Sequence, residues 1–128
     1  MKKIKLSRKS QQRKRLVKNL LSSLILFEQV KTTSTKARAL KQSGQRLISK
    51  IKSEKNIVSL KRCLASELYG GACEKAFDNR DLFQDIAVYK LSKRLGDGAN
   101  IVIVKLSRIK QSPTKTKDEA HGKKVKND

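Results

Sequence analysis

The spacing of the apolar residues changes character for good near residue 85, and that change limits the folds open to this chain. Through Phe77, apart from a short β-branched stretch at 28–33, they recur every three or four positions, the period of one helix face. From Ile86 they crowd into "IAVYKL" and "IVIVKL", runs rich in the β-branched residues that suit strands. Leu16, Val17, Leu20, Leu21, Leu24 and Phe27 predict an amphipathic helix over about 10–27, with Ser10 as its cap and Phe27 closing its apolar face. The segment 28–33 is β-branched and too short for a helix, so it predicts a brief strand. Ala37, Leu40, Gly44, Leu47, Ile48 and Ile51 place a second helix over about 34–52, capped by Ser34 or Thr33. Gly44 lies on its apolar side and marks a close helix contact.

Asn56 is placed to cap a third helix carrying Ile57, Leu60, Leu64 and Leu68, which Gly70 and Gly71 stop. A short fourth helix follows over about 72–77. "KRLGDGAN" then supplies the Gly and Asp of a turn between two antiparallel strands, 86–92 and 100–107. The order is helix, strand, three helices, two strands, and it predicts an α+β domain of two layers, helices packed on a small sheet. A chain of 128 residues suits one such domain. We expect a basic arm over 1–9, a single domain over 10–112, and a tail over 113–128, "PTKTKDEAHGKKVKND", too polar to bury a core and expected to be disordered.

Thirty-two Lys and Arg against eleven Asp and Glu leave a net charge of +21. Self-repulsion of that size favours a bound polyanion, with nucleic acid as the leading candidate and an anionic membrane surface as the second. The charge is polarised along the chain. The first eighteen residues hold nine bases and no acid, whereas 66–89 hold five acids against two bases, Lys75 and Arg80. The arm and first two helices therefore form the expected face for the polyanion, and the acidic stretch faces solvent or a basic neighbour. On a helix, Lys9, Arg13, Lys14 and Lys18 fall along one side, a row able to follow a phosphate backbone. The aromatics Phe27, Tyr69, Phe77, Phe83 and Tyr89 sit among apolar residues and are expected in the core, which leaves no stacking platform for single strands.

The hydroxyl run Thr32–Thr35 precedes the second helix. Its free amide groups, with Lys36 and Arg38, form an expected anion pocket. No enzyme signature is present: "YGGACEK" lacks the spacing of a phosphate loop, and His121 lies in the polar tail. Cys63 and Cys73 with one histidine are too few for a zinc site and read as two buried or half-buried thiols in a reducing compartment, with a disulfide as the alternative. The run "LLSSLILF" is interrupted by serines and followed by no small-residue cleavage site, which argues against a secretory signal, while the acid-free start also fits an organellar transit peptide.

Leu6, Arg8, Arg13 and Asn19 lead into "NLLSSLILFEQVKTTSTKARAL", in which Leu24, Glu28, Lys31, Thr32, Thr33, Lys36, Ala37 and Leu40 stand at diagnostic positions. A second block, "RLGDGANIVIVKL", carries Arg94, Gly96, Asp97 and Ala99. In these blocks, over roughly 4–106, the chain resembles the bacterial-type large-subunit ribosomal protein L17 family. It departs from that family in a shorter arm, "MKKIKLSR", in "LFQDIAVYK" where a Gly-rich aromatic segment is usual, and in Asn100 where Pro is frequent.

The resemblance implies the same element order with a mixed three-stranded sheet. It also implies a structural role: binding large-subunit ribosomal RNA and neighbouring ribosomal proteins near the polypeptide exit, in a cytoplasmic ribosome or, alternatively, an organellar one. Charge and resemblance together make Lys2, Lys3, Lys5, Arg8, Lys9, Arg13, Lys14, Arg15, Lys18, Asn19, Lys31, Thr32, Thr33, Lys36, Arg38, Lys93 and Arg94 the expected RNA contacts. No cofactor, metal, membrane or small-molecule substrate is expected. A free-standing, nucleoid-type DNA- or RNA-binding protein is the competing reading.

Overall fold

In the computed structural model, which describes residues 4–108, helix α1 spans Ser10–Phe27 and buries Leu21, Ser22, Leu24 and Ile25. Lys9, not Ser10, stands at its N-cap, with no side-chain hydrogen bond to the helix amides. The helix ends on Glu28 in the left-handed region, φ 63°. Lys75 secures that end across 49 positions of sequence, donating to the Leu26 carbonyl at 2.6 Å and reaching Glu28 Oε1 at 3.4 Å. A cation there satisfies a carbonyl that no helical amide can reach and complements the helix dipole.

Strand β1, Gln29–Thr33, leads directly into helix α2, Ser34–Ser53. Thr33 is the N-cap of α2, and its side chain, like that of Lys9, accepts no capping bond, so the hydroxyls do not cap as expected. Both serines, Ser10 and Ser34, already have helical geometry, one residue too late to cap. Helix α3, Ile57–Glu67, is capped as the sequence predicts: Asn56 Oδ1 accepts from Val58 N at 2.9 Å and from Ser59 N at 3.4 Å. Helix α4, Gly71–Asp78, and a single 3-10 turn, Arg80–Leu82, precede β2, Phe83–Lys93, and β3, Asn100–Arg108. Strand β2 begins earlier than alternation suggests because the register shifts between Phe83 and Asp85, and this irregularity breaks the period of two.

The α+β order holds, with one correction in the sheet. The strand order is β1-β3-β2 and both pairings are antiparallel, so the sheet is not mixed. A short hairpin forces β2 and β3 antiparallel. With β3 in the middle, β1 and β2 point the same way but never pair. The register sets Val102, Val104 and Leu106 on the side of Val30 and Ile86, facing the helices. These join Leu24, Leu40, Leu47, Leu64 and Phe83 in one continuous core.

Gly44 is buried where α2 crosses the sheet. A Cβ there would overlap Ile86 Cδ1 and lie 3.5 Å from Leu21 Cδ2, so its tightest neighbour is a strand as well as the helix expected. The aromatic expectation needs a larger correction. Only Phe83 is fully buried and Phe77 partly, while Phe27 is 71% exposed, Tyr89 55% and Tyr69 43%. Phe27 fits the apolar spacing, but it is the last residue of α1 and its side chain is left uncovered, although Leu24 and Ile25 of the same turn are buried. Cys63 and Cys73 are free, half-buried thiols.

Candidate nucleic-acid interface

The N-terminal half of α1 lies beside the middle of α2 and the end of α3, and the three leave a groove of about 450 Å3. Its walls include Arg13, Lys14, Arg15 and Lys18 of α1, all expected from sequence, and Arg46 of α2, which was not. Ala39, Gln42, Ser43 and Arg46 form the α2 wall because offsets of three, four and seven share one helix face. That spacing was readable. A period traced through Ala, Gln, Ser and Arg, however, carries no hydrophobic signal to mark it.

The cations on this surface serve two ends. Arg13 Nη1 donates to the carbonyls of Lys5 and Arg8, each at 3.3 Å, and so folds the arm back onto α1. The arm turns through Leu6 and Ser7, both at positive φ. Lys18 Nζ donates to Ala65 O at 3.2 Å and Ser66 O at 3.1 Å, neutralising the carbonyl end of α3, and lies 4.3 Å from the centre of the Tyr69 ring. Lys9, Lys14, Arg15 and Arg46 are exposed and, among the described residues, have no ion-pair partner. The one acid at the groove, Glu67, is paired with Lys50 at 3.0 Å, and that bond raises the lysine's pKa.

The other expected residues lie elsewhere. Asn19 is exposed on α1. Lys31 and Thr33 stand opposite Ile103 and Ile101 on the sheet face away from the helices, and Thr32 opposite the buried Val102. Lys36 and Arg38 follow the uncapped start of α2. Lys93 ends β2, and Arg94 is engaged at the hairpin tip by Asp97, Nε to Oδ1 at 2.9 Å. That bond, helped by the Ala99 N–H, holds the Asp97 carboxyl well below the usual carboxylate range. Lys2, Lys3 and the tail over 113–128 lie outside the described residues.

Among the described residues no group of three or more His, Cys, Asp and Glu could hold a metal ion, and no helix is long and apolar enough to cross a membrane. Fold and charge together define a class, the small, strongly basic α+β protein with helices on one face of a three-stranded antiparallel sheet. The family profile of ribosomal protein L17 matches residues 16–107, and the chain belongs to that family. It is thus a ribosomal protein, from a family whose role is structural. Among similar curated proteins, each named large ribosomal subunit protein bL17, that of an Exiguobacterium species is 32% identical, covering 80% of this chain and 96% of the relative. The protein of Pelagibacter ubique is 30% identical with 90% of each chain covered, and that of Endomicrobium trichonymphae is 33% identical over 80% and 92%.

Proposed function

We propose that this protein is a structural constituent of the large ribosomal subunit, in a cytoplasmic ribosome, and binds large-subunit ribosomal RNA through its arm and first two helices. The observation that carries the reading is the set of exposed cations, Lys9, Lys14, Arg15 and Arg46, that lack a carboxylate partner among the described residues. Such groups release counterions when they meet phosphate, and they position a protein on folded RNA without reading its bases. Lys31, Thr33, Lys36 and Arg38, around the uncapped start of α2, form a second contact away from the groove, and Lys93, beside the ion-paired Arg94, an outlying one. Bound there, the protein would brace RNA folding and subunit assembly near the polypeptide exit, with its acidic stretch turned to a neighbouring ribosomal protein.

Replacing Lys14, Arg15 and Arg46 together by Ala should lower the slope of log affinity against log salt by about two to three, at roughly 0.7–0.9 per phosphate contact. An unchanged slope would show that these cations do not meet phosphate. Sedimentation decides the setting: the protein should travel with large subunits through high salt, and its release into a DNA fraction would favour the nucleoid-type reading.

A further inference from the structure

The groove is better furnished than phosphate tracking requires. Phosphate contacts need only cations at the surface, yet the lining also includes the partly exposed Tyr69, the apolar Val17 and Leu21, and two half-buried polar groups, Gln42 and Ser43. Neither the Gln42 amide nor the Ser43 hydroxyl has a hydrogen-bond partner among the described residues. At about 450 Å3 the space falls within the roughly 300–1,000 Å3 typical of small-molecule sites.

The ring is also held in place. Lys18 rests over it at 4.3 Å while tied to the Ala65 and Ser66 carbonyls, and the Tyr69 N–H donates to the buried Ser22 hydroxyl at 2.9 Å. A wall fixed before binding loses little freedom on contact. Ile4, on the arm that Arg13 pins back, also lines the groove.

We propose that this groove holds a single unpaired nucleotide of RNA, its base against the side of the Tyr69 ring that Lys18 leaves open and its edge at Gln42 and Ser43, with its phosphate between Lys14 and Arg46. The inference rests on the RNA-binding reading and narrows it. A continuous duplex keeps its bases stacked inside and offers phosphates, 2′-hydroxyls and base edges, but no open base face. A bulged or looped-out nucleotide offers in one unit an aromatic face, a hydrogen-bonding edge and a negative charge, which are the three features the groove complements.

The test uses the full chain and two RNA hairpins that differ by one bulged adenosine, with affinities measured at the same salt. The bulged hairpin should bind about tenfold more tightly, the size of one base–aromatic stack, and in Tyr69→Leu or Gln42→Leu that ratio should fall towards one. If the wild-type protein binds both hairpins equally well, the groove does not take a nucleotide, although RNA binding stands. If it binds neither, the RNA reading itself fails. A preference that persists in both variants places the bulge elsewhere and overturns the inference. Should the variants not fold, wild-type protein decides with 2-aminopurine at the bulge. Quenching on binding supports contact with the ring, and unchanged fluorescence overturns it.

Discussion

In the groove between α1 and α2, Lys14, Arg15 and Arg46 face no carboxylate partner among the described residues; at the tip of the β2–β3 hairpin, Arg94 is taken up by Asp97 three residues away. Both regions read as basic in the sequence. In the groove the walls are spaced by the core, since Leu21 and Ala39 line it and are also buried in the interior, and the charges are left available. The hairpin shapes itself by local bonds alone. Arg94 N donates to Ala99 O at 2.8 Å, Gly98 N to Arg94 O at 3.0 Å, and Leu95 at the tip is 98% exposed. Charge used to build a turn is not free to bind, and a surface built by the core moves only if the core does. Perturbing the core should therefore disturb the groove and spare the hairpin.

The largest effect is expected at Gly44, where α2, α1 and β2 meet most closely. In Gly44→Val the new side chain overlaps Ile86 Cδ1 inside a packed interior, and overpacking of this kind costs about 1–3 kcal/mol. Denaturant unfolding should place the variant near the upper end of that range, because Ile86 is 1% exposed and has little room to yield. Adding Ile86→Val removes the overlapping methyl and should recover part of the loss. Equal stability of the single variant and the wild type would mean that the helices slide freely over the sheet, and the contrast between core-built groove and self-built hairpin would lose its basis.

A smaller loss is expected from Ser22→Ala. This buried hydroxyl accepts from Tyr69 N and donates to Lys18 O at 3.0 Å, joining α1 to the residue that forms the groove wall. Removing it strands the Tyr69 N–H, at a cost of about 1–2 kcal/mol in thermal or denaturant unfolding. Resonances of Tyr69 and Lys18 should shift while those of Arg94 to Ala99 stay in place. Movement of the hairpin signals by a comparable amount would show the two regions to be coupled.

How much of this was legible depends on how local the cause is. Element order followed from the apolar period, and the Asn56 cap from a side chain reaching amides two and three residues on. Gly44 was recognised as a close approach because a small residue on an apolar stripe has few other uses. What escaped was settled across long separations: Lys18 reaching carbonyls 47 and 48 positions later at the end of α3, and Lys75 reaching one 49 positions earlier at the end of α1. A lysine in a row of lysines gives no sign that its charge will be spent on a distant carbonyl. Phe27 misled for a related reason, since its spacing fits the stripe and only the absence of a covering element exposes it.

The smallest effect isolates the hairpin. Asp97 Oδ1 accepts from Arg94 Nε at 2.9 Å and from Ala99 N at 3.2 Å, and the pair depresses the carboxyl's pKa in the folded chain. A depressed carboxylate binds protons less readily when folded than when unfolded. Its contribution is complete above the unfolded value near about 4 and is lost as the pH falls below that, through the depressed folded value. The Ala99 amide resonance should hold steady from neutral pH to below the ordinary carboxylate range and move only in stronger acid. Because the tip is exposed, global unfolding should hardly register the change. Asp97→Asn should abolish the titration and leave the groove's resonances untouched. An ordinary midpoint near about 4 at Ala99 would mean that the ion pair does not persist in solution, leaving Arg94 as open to phosphate as Lys14 and erasing the distinction between the two regions.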